Sequence, residues 1–384
     1  MSDNDFKLPM RRAGFGRALL ASLGVGVIGC AGTPARLPIV EPGDAAGNRH
    51  RIIVATSRAP TADPLQRYGD DRSRTLSIDD VSVWVPQNRQ PGAVNYPSRE
   101  PDSRREFALT SMEPVERRAF VDLLNQRMAE VNEENTVFLF IHGYNVSYAS
   151  GVYRVAQMAE DFDASAVPVH FSWPSSGRKL GYLYDRDSVQ FARDTLTELI
   201  ALVAQSDADS VFLMGHSMGT LLVMEALRQL SLSGQDAVLR RISPLVLASP
   251  DIDVDVFRSQ MESLSYRPDP MVVFVANDDG ALRLSQSIRG GHPRVGEGVN
   301  IAELQEQGIA VIDLSNVDLG AGTQHSAFAS SPTLISVMKQ AGIAQSSLQD
   351  ADSANRPSPL EALGDFTTGL LYLPKRVLEP SRED

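Results

Sequence analysis

From Arg51 onward, short apolar runs alternate with stretches whose apolar residues recur at helical spacing. The runs have the length of strands: RIIVATSR at 51–58, VSVWV at 81–85 before Pro86, TVFLFI at 136–141, VPVHFSW at 167–173, SVFLM at 210–214, ISPLVLA at 242–248, MVVFVA at 271–276 and IAVIDL at 309–314. Most are nearly continuous rather than alternating, as suits strands covered on both faces. Between them, Phe120, Leu124, Met128 and Val131 share one helical face, and Val189, Ala192, Leu196, Leu199 and Val203 share another. This alternation predicts an α/β fold with a mostly parallel, doubly wound sheet. Residues 87–112 are polar and irregular and read as a surface loop, and no internal repeat is visible.

The two ends of the chain follow different patterns. Lys7, Arg11, Arg12 and Arg17 precede the apolar run ALLASLGVGVIG at 18–29, which ends at Cys30, the chain's only cysteine. The run is too short to cross a hydrocarbon layer of roughly 30 Å, so residues 1–29 read as a cleaved export signal. Cys30 after VIG resembles the bacterial lipobox. That resemblance implies a mature chain starting at a lipidated Cys30, anchored to the envelope membrane and facing the periplasm. Ala31 in place of aspartate implies the outer membrane. Arg11 and Arg12 leave both general and twin-arginine export open. Residues 30–49, rich in Pro, Gly and Ala, read as a tether, with a domain over 50–343. Residues 344–384 read as a polar linker and tail, in which TGLLYLP at 368–374 is apolar enough to dock back. The formal charge of -12 is scattered, and without a basic stripe nucleic acid is excluded as a partner.

GHSMG at 215–219 interrupts the apolar run VFLMGHSMGTLLVM. A strand ending in G-x-S-x-G and continuing as a helix, here TLLVMEALRQL, is a nucleophile elbow. Gly215 and Gly219 give the backbone room there, and Ser217 would stand above the strand ends. A serine hydroxyl needs a base and an orienting carboxylate, which follow in the order acid, then histidine. Asp278 and Asp279 both come directly after a strand. Of the six histidines, His50 precedes the predicted sheet, His170 lies in a strand, His216 is in the elbow and His142 is in a loop. His292 and His325 follow the acid, and only His325 also follows the last predicted strand. The two amides of an oxyanion hole would come from Met218 and from Tyr144, after the His142–Gly143 turn. One cysteine and scattered histidines give no metal-ligand spacing, and no cofactor is implied.

Taken together, FIHGYNVSY, FSWPSSG followed by YLYDRDS, MGHSMGT, ASPDIDVDVF, ANDDGALRLSQ, VIDLSNV and QHSAF resemble the bacterial alpha/beta hydrolases grouped as a domain family of unknown function, with esterase-like or lipase-like character. The resemblance spans roughly residues 50 to 340 and implies an alpha/beta-hydrolase fold. It implies Asp279, ahead of Gly280, Ala281 and Leu282, as the acid. Gly280 departs from the larger, often basic residue usual there, and TQ precedes His325 where glycine is usual. Trp173, with His142, is a candidate for the pocket wall or for ordinary packing. The expected activity is cleavage of a small-molecule or lipid ester by Ser217, Asp279 and His325. Acyl transfer or peptide cleavage by the same serine, and a non-catalytic envelope binding module, are the alternatives.

Overall fold

In the computed structural model, which describes residues 36–63, 65–131, 135–162, 166–316, 323–331, 334–335 and 371–372, the apolar runs form the middle of one sheet. Its strands are β1 (Gly47–Pro60), β2 (Tyr68–Pro86), β3 (Ala108–Val115), β4 (Thr136–Ile141), β5 (Val167–Ser172), β6 (Ser210–His216), β7 (Ile242–Ala248), β8 (Met271–Val275), β9 (Ala310–Asp313) and β10 (Leu371–Tyr372). The helices are α1 (Phe120–Val131), α2 (Tyr148–Phe162), α3 (Tyr182–Val203), α4 (Met218–Leu232), α5 (Asp236–Leu239), α6 (Val254–Glu262), α7 (Gly280–Ile288), α8 (Ile301–Glu306) and α9 (Ala327–Ser330). Across the sheet the order is β10-β9-β8-β7-β6-β4-β5-β1-β2-β3. The pairs from β1–β5 through β8–β9 are parallel, and the outer pairs β1–β2, β2–β3 and β9–β10 are antiparallel.

Continuous apolarity follows from burial on both faces. Val137, Leu139, Ile141, Val211, Leu213 and Val273 point into one core, against α1, α3, α4 and α6. Phe138, Phe140, Phe212, Met214 and Phe274 point into the other, with Val152, Val155 and Met158 of α2 and with Phe328. Successive residues of a strand face opposite ways, so a strand with a core on each side has no polar positions to alternate.

Three expectations are corrected where strands lie at the margins, and one helix went unmarked. The loop expected over 87–112 ends in β3, where Phe107, Ala108 and Leu109 are fully buried. As an edge strand covered on one side, β3 places Ser111 and Glu113 outward and breaks up the apolar signal. Within the loop, Asp161 pairs with Arg89 and accepts the Gly92 N–H at 2.6 Å. The tether expected over 30–49 is not met over 36–49: Leu37 is buried, its N–H donates to Leu65 O at 2.6 Å, Ile39 bridges Leu109, and β1 begins at Gly47. His50 therefore lies inside the sheet rather than ahead of it, 2.5 Å from Glu160 Oε2. Finally, α2 went unmarked by periodicity because most of its residues are buried, which blurs the contrast between faces.

Residues 1–35, with the export signal and Cys30, lie outside the described residues, as does most of 344–384. From that tail, Leu371 and Tyr372 pair with Ile312 and Val311 as β10. No helix of the described residues is long and apolar enough to cross a membrane.

Candidate active site

β6 passes into α4 with one residue between them, Ser217, at φ 52° and ψ -124°. This is a left-handed conformation that a β-carbon makes costly, by about 1–3 kcal/mol. Neighbours hold it: Ser217 N–H donates to Ala248 O at 2.8 Å, and Ser217 O accepts from Thr220 N–H at 3.0 Å and from Thr220 Oγ1 at 2.6 Å. The flanking glycines serve separate close approaches. A β-carbon on Gly215 would sit 3.1 Å from Thr220 Cα, and one on Gly219 would overlap His142 O and lie 2.8 Å from Ile141 O.

Asp279 caps α7. Its Oδ1 accepts the N–H groups of Ala281 at 2.9 Å and Leu282 at 3.2 Å, while His325 Nδ1–H donates to Oδ2 at 2.7 Å. Asp278, the other candidate acid, is exposed and 3.4 Å from Arg283. Because a carboxylate can only accept, the proton of neutral His325 is fixed on Nδ1 and Nε2 keeps its lone pair. Burial pushes the Asp279 carboxyl upward, yet the charge and hydrogen bond of His325, with the two capping amides, outweigh it and hold the carboxyl below its usual range. For His325 burial pulls downward, but the charge and hydrogen bond of Asp279, with the more distant charge of Asp251, leave the imidazole raised.

Ser217 Oγ and His325 are not hydrogen-bonded among the described residues; the two meet through His216. His216 Nε2–H donates to His325 O at 2.8 Å, and the two rings lie 4.7 Å apart. The segment is fixed from behind as well: Gln157 Nε2 donates to Ala329 O at 3.0 Å, and Phe328 packs on His216 at 4.6 Å. Burial first, and then the charge of His325, push the His216 pKa down to about 3, so it stays neutral. Catalytic hydrogen bonds are commonly long without substrate and tighten once it binds. The sequence showed His216 only as the variable residue of the elbow, and no local signal marks its bond to a residue 109 positions away. Replacing His216 by phenylalanine keeps the bulk and loses the bond. Turnover is expected to fall about tenfold, the worth of one buried hydrogen bond, with KM within about twofold; unchanged turnover on a chromogenic ester would refute this positioning role.

The loop after β4 lies against the elbow. A β-carbon on Gly143 would be 2.8 Å from Ser217 Cβ and 2.8 Å from His216 Nδ1. Asn145 turns the chain at φ 59°, its N–H bonded to Asp185 Oδ2 at 3.1 Å, and the Tyr144 hydroxyl donates to the carbonyls of Lys179 and Arg178. Tyr144 and Met218, the first residue of α4, thus stand on segments flanking Ser217. The first amides of a helix have no intrahelical acceptor and favour negative charge.

Of the two readings of Trp173 and His142, pocket wall or ordinary packing, the structure favours packing. Trp173 is fully buried and His142 is 2% exposed, too enclosed for either to line a pocket. Trp173 Nε1–H donates to His142 O at 2.7 Å and the rings stack at 4.8 Å, so the pair joins β4 to β5 beneath the loop. His292 is exposed and has no part in the site. His170 is buried 3.1 Å from Phe140 O, and burial pushes its pKa down to about 3.

A further group was not identified from sequence. Buried Asp251 accepts from the Tyr182 hydroxyl at 3.0 Å and from Ser285 Oγ at 2.5 Å, lies 3.4 Å from Arg294 Nε, and donates its N–H to Ser217 O at 3.4 Å. ASPDIDVDVF carried Asp251 in plain view, but its partners come from α3, α7 and the segment before α8.

A parallel sheet with helices on both faces and a strained serine at a strand-to-helix elbow define the alpha/beta-hydrolase class. The family model described as "Alpha/beta hydrolase of unknown function (DUF900)" matches residues 117–341, more than half of the chain, and the chain belongs to that family. No curated protein matches the chain significantly.

Proposed function

We propose that this alpha/beta hydrolase cleaves carboxylic esters through an acyl-enzyme on Ser217. The observation that carries the proposal is the Asp279–His325 bond at 2.7 Å, made by a carboxylate that also caps α7. Such an acid cannot swing away without uncapping a helix. In the proposed cycle, Ser217 Oγ attacks the ester carbonyl as His325 Nε2 takes its proton, and Asp279 stabilises the imidazolium. The Met218 and Tyr144 amides hold the oxyanion. The intermediate collapses as His325 returns the proton to the leaving alcohol, and water repeats the sequence to release the acid.

Hydrolysis of p-nitrophenyl esters of graded acyl length, together with labelling by a fluorophosphonate, tests this. Turnover of esters with covalent labelling at Ser217 supports it; neither signal would identify a binding module instead. Acyl transfer or peptide cleavage would show as product formed on an added acceptor or peptide, since pocket shape sets the choice of acceptor.

We also propose that Cys30 is lipidated and tethers the domain to the periplasmic side of the envelope. The support is the charged segment, apolar run and lipobox-like VIG–Cys30. Metabolic labelling with a palmitate analogue should mark the wild type and not Cys30→Ser; equal labelling of both would remove the anchor.

A further inference from the structure

Among the described residues ten large hydrophobic side chains are exposed, and four of them lie on two neighbouring segments: Leu180 (100%) just before α3 and Leu183 (68%) in its first turn, and Leu284 (58%) and Ile288 (47%) on α7. The Tyr182 hydroxyl, 2.7 Å from Ser285 Oγ, joins the two elements. Leu284 and Ile288, four residues apart, share a helical face. The same elements reach the site: α7 starts from Asp279, and the Tyr144 ring stands edge-on to Tyr182 at 5.6 Å. Single exposed leucines are ordinary, whereas a group beside a site marks an interaction surface.

The charge around these residues suggests what they meet. Lys179 is exposed with no ion pair among the described residues, and Arg178 and Arg283 are exposed with partners at the surface. Beneath them Arg186, Arg289 and Arg294 gather near Asp251, and Arg186 and Arg289 each keep Nη1 without a hydrogen-bond partner. Burial lowers the Arg186 pKa, and the charges of Arg289 and Arg294 lower it further, as expected of crowded cations. Against them stand Asp187, Asp278 beside Arg283 and Asp70 beside Arg178, which leaves Lys179, Arg186 and Arg289 as this face's cations without an ion pair among the described residues. Lys179, Arg186 and Arg289, beside these aliphatic side chains, complement an anionic lipid surface, whereas a second copy docked by the same face would bring the same cations together.

We propose that this face docks on an anionic lipid layer, with Leu180, Leu183, Leu284 and Ile288 entering the interface and the basic side chains meeting the headgroups. Resting on the hydrolase reading above, docking would present Ser217 to the acyl esters of that layer and make membrane lipids the substrate class.

The test uses the full chain with Cys30→Ser, so that Leu284→Cys supplies the one thiol for an environment-sensitive fluorophore. Phosphatidylglycerol vesicles are expected to shift its emission to the blue. The same label at Leu232→Cys, exposed at the end of α4, is expected to show no shift. Lys179→Gln should weaken partitioning about fivefold, and Leu183→Asp about tenfold or more. No shift at Leu284, an equal shift at Leu232, an equal response to phosphatidylcholine, or a shift from self-association before lipid is added would each overturn the proposal. The response needs no turnover and should persist in Ser217→Ala. Ester hydrolysis absent with the shift intact would therefore defeat the hydrolase reading alone.

Discussion

Ser217→Ala is expected to lower kcat on a p-nitrophenyl ester by about 10⁶-fold and to abolish fluorophosphonate labelling. The size follows from the division of labour in the proposed site. Without the hydroxyl no acyl-enzyme forms, and what remains is binding and the oxyanion amides acting on water, a residual of about 10³–10⁴ over the uncatalysed reaction. Stability should change little. Alanine at φ 52° is strained much as serine is, and the backbone bonds to Ala248 O and from Thr220 do not involve the hydroxyl. Urea midpoints of the two proteins should coincide, which separates lost chemistry from lost structure. A drop below about tenfold would place the nucleophile elsewhere.

Asp279→Asn is expected to cost about 10⁴-fold in kcat, as loss of the orienting carboxylate does in comparable sites. An asparagine oxygen can still cap α7, so the helix survives. Only one of its terminal atoms accepts, however, and an oxygen kept on the Ala281 and Leu282 amides turns an N–H₂ toward His325. That favours the tautomer with its proton on Nε2, the wrong one for a base. The pH dependence carries a second signature. His325 is raised by Asp279 despite burial, so the acid limb of kcat/KM, where His325 becomes protonated, should move to lower pH in the variant. A limb that stays put would show that Asp279 does not govern His325.

Stability should follow the same pair. The depressed Asp279 stabilises the fold above its unfolded-state pKa, and this is lost as pH falls through the folded value. The raised His325 contributes below its unfolded-state pKa, and this is lost as pH rises through the folded value. The gap between wild type and Asp279→Asn should therefore be widest in the mildly acidic range between the two unfolded-state values and close in stronger acid.

Much of this molecule could be read along the chain. The core strands declared themselves because burial on both faces makes a run apolar at every position, as in TVFLFI and MVVFVA. The elbow did so because Gly219 stands where neighbouring backbone leaves no room for a β-carbon, and Gly215 where Thr220 leaves it little. Edge positions were harder: β3 and the Leu37 segment bury only part of their length, and their polar residues look like loop.

By itself, then, the sequence determined the strand and helix alternation, the place of Ser217, and a short choice of acids and histidines, since each depends on residues close together in the chain. Only the tertiary structure decided that Asp279 rather than Asp278 meets His325, 46 positions away, that His216 grips that histidine's carbonyl, and that Asp251 gathers Tyr182, Ser285 and Arg294 beside the elbow. Hydrogen bonds across such separations are set by how strands and helices pack, and packing leaves no periodic trace in the residues it brings together.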